Sequence, residues 1–354
     1  MHPPRPAHGS SADLPSAFNL NSRRPRLNGV MAHSILFVLL AALSATQIVR
    51  SAATTSEHSE VFNWDSIRFV YAFGDSYTFV QGTNGFPNFS FVGDEAGYTT
   101  EQALTSRIIP KNTSSEGSNW IEYLTGCFEG TPFFCKKQLW NFAFAGSDIT
   151  GALLPLHHNY TTSLVEQVNQ WATAAAKAIP HPRGETLTAW WIGINDTGDT
   201  LNNASITDFP AFWQEEMVAY FDAVQLAHDN GLTTHLFINV PAEDRNPSSL
   251  GNSAASQATY KLHIEQFNSA LDSSIRAFKA SNPDAVIMTF DSNTLFNTIL
   301  DNPEQYGFTN TTGFCTCADP EGFFWYNSGH PTQAVHKIIA AAIEAELKNP
   351  TFIQ

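Results

Sequence analysis

A hydroxyl, an imidazole, a carboxamide and a backbone amide unobstructed by a side chain occur in this chain in four short blocks. Ser76 lies in Gly74-Asp75-Ser76-Tyr77, Gly146 in Ala145-Gly146-Ser147, Asn195 in Gly193-Ile194-Asn195-Asp196, and His330 in Asn327-Ser328-Gly329-His330-Pro331. A serine becomes a nucleophile when an imidazole accepts its proton, and the oxyanion that follows needs N–H donors. Together these groups make up an acyl-transfer site. Taken singly the blocks are commonplace, since Gly-Asp-Ser is more often an ordinary turn and a histidine before proline is usually a loop residue. Other patterns are missing. Thr78 stands where the G-x-S-x-G elbow needs its second glycine, and there is no P-loop, dinucleotide fingerprint or HExxH. His157 and His158 fall in a loop, and His330 and His336 are too far apart for one helical face. No metal or organic cofactor is expected.

The elements around these blocks alternate. Continuous apolar runs at Ile67–Phe73, Gln138–Ala145, Leu187–Ile194, Thr234–Val240 and Ala285–Phe290 read as strands covered on both faces. Helical patterns fall at Ser118–Leu124, Ser163–Ala178, Ile206–Asn230, Ser253–Ser281 and Thr332–Lys348. In the fourth of them Tyr260, Ile264, Phe267, Leu271 and Ile275 mark a buried stripe. Such alternation implies βαβ units and a three-layer α/β/α sandwich on a mostly parallel five-stranded sheet, flavodoxin-like in plan. A sheet of that kind presents its chemistry at the C-terminal ends of its strands, where Ser76, Gly146 and Asn195 fall. Trp190, Trp191 and Phe237 read as core, and Trp325 and Tyr326 as candidates for lining a substrate cleft.

In this order the four blocks resemble the GDSL, or SGNH, hydrolase family, from about Phe69 to the last helix. Ser76 in GDSY, Gly146 in NFAFAGS, Asn195 in GIND and His330 in NSGHPT all match. In finer wording they look most like fungal-type acetylesterases of carbohydrate esterase family 16, which carry GDSYT, GIND and HPT. The resemblance implies that Ser76 attacks the ester carbonyl and that His330 is its general base. It also implies an oxyanion hole made of the Ser76 and Gly146 backbone N–H groups and the Asn195 amide. Gly74, Asp75 and Asp196 support the motifs, and Asp75 reads as a residue of the turn. One position departs from the pattern: Asn327 stands where the family places an aspartate. Either the site runs as a Ser-His dyad with Asn327 or a backbone carbonyl orienting the ring, or Asp319 or Glu321 supplies a carboxylate from another direction, or activity is weak.

Composition narrows the setting. The 354 residues are 43% hydrophobic with a formal net charge of −15, which suits one large core and excludes a phosphate-binding, nucleic-acid role. From Met31 the chain reads as a signal peptide over residues 31–53, its apolar run from Ile35 to Leu43 being too short to span a bilayer. Residues 1–30 read as a disordered or mis-assigned extension, and residues 61–350 as a single catalytic domain. Sequons at Asn88, Asn112, Asn159, Asn203 and Asn310 suit an exported glycoprotein. Four cysteines allow three connectivities; their spacing favours two local disulfides, Cys127–Cys135 and Cys315–Cys317, over a metal.

The resulting expectation is a secreted, monomeric esterase without a membrane anchor. Its implied substrates are short acyl esters, above all acetyl groups on plant cell-wall oligosaccharides. The rivals are a lipase or lysophospholipase for longer acyl chains, and a non-catalytic carbohydrate-binding protein on the same scaffold.

Overall fold

Hydrophobic runs bounded by glycine and polar turns become the five strands of one parallel sheet in the computed structural model, which describes residues 62–93 and 97–354. Residues 31–53, read as a signal peptide, and residues 1–30, read as an extension, lie outside the described residues. The strands are β1 (Phe69–Gly74), β2 (Gln138–Asn141), β3 (Thr186–Trp191), β4 (Thr234–Ile238) and β5 (Val286–Phe290), in the order β2-β1-β3-β4-β5. All four pairings are parallel, with Phe69 opposite both Gln138 and Thr186, Thr188 opposite His235, and Thr234 opposite Val286. The chain crosses from β1 to an edge and back, which creates a switch point beside β1, where a doubly wound sheet opens a crevice.

Trp190 and Trp191 show how both faces are covered. Adjacent strand residues point to opposite faces, and both are fully buried. Trp190 meets Tyr220 of the Phe209–Asp229 helix at 6.3 Å between ring centroids, whereas Trp191 meets Trp120 of the Trp120–Thr125 helix at 5.6 Å. Helices therefore lie on each side of the sheet. The expected stripe on Ala254–Ser281 is buried along its length, from Tyr260 to Ile275, and each such apolar side chain contributes roughly 1.5–3 kcal/mol.

Differences from the sequence reading lie at element ends. β2 stops at Asn141, four residues early, because the Asn141 carboxamide turns to donate to the Thr78 carbonyl at 2.7 Å and the following backbone leaves the sheet. β3 stops at Trp191, and Ile194 opens a short helix, α1 (Ile194–Asp199), instead of ending the strand. The helix from Leu164 changes to π-helical turns over Trp171–Ala175. Helices at Thr100–Thr105, Pro247–Leu250 and Ser292–Asp301 lacked a periodic signal long enough to read.

Gly74 ends β1 where no other residue fits. Its φ is +155°, and a Cβ there would lie 2.1 Å from the Trp191 carbonyl oxygen, so the strand can pass β3 and swing out to Ser76 only without a side chain. Both expected disulfides are present, Cys127–Cys135 and Cys315–Cys317.

Candidate active site

The turn after β1 is held from several directions. Asp75 is buried; its Oδ1 accepts the Tyr77 N–H at 2.9 Å, and its carbonyl accepts from Thr78 and Phe79. The Thr78 carbonyl also accepts from the carboxamides of Asn119 and Asn141 at 3.0 and 2.7 Å. Gln167, buried on the Leu164–Gln170 helix, accepts the Gly74 N–H at 3.0 Å and donates to the Gly74 carbonyl at 2.8 Å and to Ser147 Oγ at 3.0 Å. One carboxamide thus joins the Ser76 turn to the Gly146 turn. Nothing in the local sequence around Gln167 marks this role.

His330 reaches Ser76 across the C-terminal loop, with Nε2 2.8 Å from Ser76 Oγ. The other ring nitrogen, Nδ1, lies 2.9 Å from Asn327 Oδ1. That atom is fixed as oxygen, because it also accepts the Gly329 and His330 backbone N–H groups at 3.0 and 2.8 Å. A carboxamide oxygen only accepts, so the ring proton sits on Nδ1 and the Nε2 lone pair faces the serine. Asn327 therefore sets the tautomer that a base needs, without supplying charge. Desolvation, the sole cause at work on the ring, pulls the His330 pKa down to about 4. The residue keeps some solvent exposure, and the desolvation acts on an imidazole enclosed by Tyr77, Ser76 and Asn327.

Asp319 and Glu321 do not support the ring. Both are exposed, and Asn327 occupies the nitrogen they would need. The expectation of a carboxylate from upstream is thereby corrected. Trp325 is corrected too: it is fully buried, packs on Phe296 and Phe324, and donates its indole N–H to the Thr311 carbonyl at 3.0 Å. Its neighbour Tyr326 does line a cavity. That cavity, of about 890 Å³, is walled by Asn88, Lys111, Asn112, Glu116, Tyr326 and Asn327 among others.

Two braces hold the histidine loop. Tyr77 packs against the His330 ring at 5.5 Å, donates to the Gly329 carbonyl at 2.8 Å and shares a short hydrogen bond with Glu243. One phenolic proton cannot serve two acceptors, so Glu243, raised to about 7 by burial, bonds as the acid below that pH. Ser115 donates to the Pro331 carbonyl at 2.6 Å. Neither brace was legible in sequence, because Tyr77 lies 252 residues from Gly329 and Ser115 lies 216 from Pro331.

On the opposite side of Ser76, Gly146 has φ +82° and Asn195 is the second residue of α1. Among the described residues, neither the Ser76 nor the Gly146 backbone N–H is given to another group. Asn195 Nδ2 donates one hydrogen to the Ser147 carbonyl at 2.8 Å, which leaves its second hydrogen for another acceptor. Asp196 is fully buried and accepts the Ile149 N–H at 2.8 Å, tying α1 to the Gly146 turn. The sequon asparagines divide: Asn88 and Asn112 stand on the cavity wall, and Asn159, Asn203 and Asn310 lie elsewhere.

The sequence matches the family model described as GDSL-like lipase/acylhydrolase over residues 70–343. An acetylesterase from Thermothelomyces thermophilus is 26% identical over 291 residues, covering 81% of this chain and 90% of that protein. The thermolabile hemolysin of Vibrio parahaemolyticus is 22% identical over 247 residues, covering 64% of this chain and 54% of its own. Among solved structures, a variant of an acetyl xylan esterase from Geobacillus stearothermophilus is similar over 80% of this chain and 96% of its own, at 12% identity and a TM-score of 0.38. A structural likeness this distant adds nothing to the family assignment. The assignment rests on the sequence match, which takes in Ser76, Gly146, Asn195 and His330: the chain belongs to the GDSL-like lipase/acylhydrolase family of carboxylic-ester hydrolases.

Proposed function

We propose that this chain is an exported acetylesterase that removes acetyl groups from plant cell-wall oligosaccharides through an acyl-enzyme. Ser76 Oγ attacks the ester carbonyl while His330 Nε2 takes its proton and passes it to the departing sugar hydroxyl. The Ser76 and Gly146 N–H groups and the remaining Asn195 N–H hold the oxyanion. A water molecule, deprotonated by the same imidazole, then releases acetate and restores the serine.

The observation that carries the substrate class is the cavity beside Asn327. Its wall is polar, with Asn88, Lys111, Asn112, Glu116 and Tyr326 offering donors and acceptors to sugar hydroxyls. Asn88, Lys111 and Glu116 have φ of 67°, 61° and 46°, and they are the three non-glycine residues among those described with left-handed backbone. Such backbone is unfavourable away from glycine and tends to persist where function uses the geometry. A wall of this kind suits an oligosaccharide better than an acyl tail.

Export is supported by the signal-like segment from Met31 and by the two disulfides. Among the described residues no helix is long and apolar enough to cross a membrane. Glycans are assigned to Asn159, Asn203 and Asn310, because one on Asn88 or Asn112 would fill the cavity. The deciding assay compares p-nitrophenyl acetate, butyrate and octanoate, with acetylated xylo-oligosaccharides alongside, for the wild type and Ser76→Ala. Preference for acetate and release of acetate from the oligosaccharides, both lost in the variant, are expected. A preference for octanoate transfers the assignment to a lipase, and equal inertness of the two proteins with retained sugar binding transfers it to a carbohydrate-binding protein.

A further inference from the structure

Three segments on the far side of Gly146 bring together side chains that ester hydrolysis does not use. Asp148 follows the Gly146 turn, His157 lies in the loop beyond it, and Asp199 ends α1. Each offers one atom, and these atoms all lie within 4.8 Å of one another. His157 and Asp199 share a short hydrogen bond through Nε2 and Oδ2, and both are partly open to solvent. Asp148 differs from them: it is 0% exposed, and neither of its carboxylate oxygens has a partner among the described residues. A carboxylate in that position keeps its full desolvation penalty until something neutralises it. Its surroundings sharpen the problem, since Asp196, Asp199, Glu216 and Asp75 all act on it with like charge. One Asp196 oxygen and both Glu216 oxygens are also without partners, so a single imidazole faces several buried acids.

The geometry points to a binding site for a divalent transition-metal ion of the zinc class, held by the Asp148 and Asp199 carboxylates and His157 Nε2, with water completing the shell. An imidazole beside two carboxylates is a mixed nitrogen and oxygen set that such ions accept, whereas calcium prefers six to eight oxygens. Bonds of about 2.1 Å place tetrahedral ligand atoms roughly 3.4 Å apart, so the three side chains need only close inward as the His157–Asp199 hydrogen bond opens.

The ion would not touch the reacting atoms. It would tie together the segments that carry two of the proposed oxyanion donors, for Asp199 lies one helical turn beyond Asn195, and Asp148 lies two residues beyond Gly146. His157 already packs on Gly146, where an added Cβ would come within 3.2 Å of its Nδ1. The site thus stands whether or not acetyl esters are the substrate.

The test uses the untagged full chain stripped with EDTA, titrated with zinc chloride by calorimetry and followed by thermal melting. One ion per chain is expected, with Tm raised by about 3–6 °C at a hundredfold excess over Kd. Binding and shift should both vanish in His157→Gln and in Asp199→Asn, which alter solvent-accessible side chains and leave the core intact. Neither heat nor shift with zinc or manganese overturns the site, as does binding that survives in both variants, or a response to calcium alone.

Discussion

Two groups of polar side chains flank Ser76 along the C-terminal edge of the sheet, and they are satisfied in different ways. Around His330 the partners are neutral and complete: Asn327 Oδ1 receives three N–H groups, the ring faces Ser76 Oγ, and Tyr77 holds the Gly329 carbonyl. Around Asp148 the groups are acidic and incomplete, with unpartnered oxygens on Asp148, Asp196 and Glu216. Burial, reinforced by neighbouring like charge (Asp196 on Asp148 and Glu216, Asp199 on Asp196), pushes all three carboxyls well above the ordinary range. The contrast shows two roles for buried polar groups. The first cluster fixes one tautomer and one orientation by hydrogen bonding alone, whereas the second stores charge that protons or a cation must balance.

The comparison breaks most severely at the serine. Ser76→Ala is expected to lower kcat/KM for p-nitrophenyl acetate by about 10⁴–10⁶ while leaving Tm unchanged; a variant retaining a tenth of the activity would remove the nucleophile from its role. Next comes Asn195→Ala, which takes away one oxyanion donor and should reduce kcat by about 10²–10³ with KM little altered. A loss confined to KM would mean that Asn195 binds substrate and not the transition state.

A subtler change tests the neutral orienter. With burial holding His330 near 4, the base stays unprotonated down to acidic pH, and the acid limb of kcat/KM should fall close to that value. In Asn327→Asp the new negative charge stabilises the imidazolium, so its pKa rises and the acid limb should move to higher pH by about 1–3 units. An unmoved limb would show that the carboxylate does not reach Nδ1.

The smallest effect belongs to the acidic cluster and is read in stability with chelator present. The folded-state pKa values there are raised, so the folded chain holds protons that the unfolded chain releases. Stability is then complete below the ordinary carboxyl pKa of about 4 and is lost as pH climbs through the raised values. Tm of the wild type should decline from pH 5 to pH 9, and Asp148→Asn, which removes one titrating group, should reduce that decline by roughly 2–4 °C. Parallel curves for the two proteins would mean that Asp148 keeps its charge in the fold.

Local chemistry made part of this site readable. Gly74, Ser76, Gly146 and Asn195 each follow an apolar run, and a run's end is visible in sequence, so the nucleophile and donors could be placed before any contact was known. His330 was readable through Asn327 and Pro331 on its own loop. Trp325 was not, because the sequence gives no sign of which face an aromatic residue presents, and it went to the core while Tyr326 met the cavity. Gln167, Glu243 and the His157–Asp199 pair escaped for a different reason: each acts on a partner between 42 and 166 residues away, through a side chain whose own neighbourhood looks ordinary.

What the sequence determined by itself is the alternation of strands and helices and the blocks at the strand ends, because strand burial and turn chemistry depend on neighbouring residues. Only the tertiary structure decided that Asn327, and neither Asp319 nor Glu321, orients the imidazole, and that Asp148, His157 and Asp199 meet. Those outcomes depend on how loops from separate crossovers dock at one sheet edge, and on which polar groups lose their water when they do.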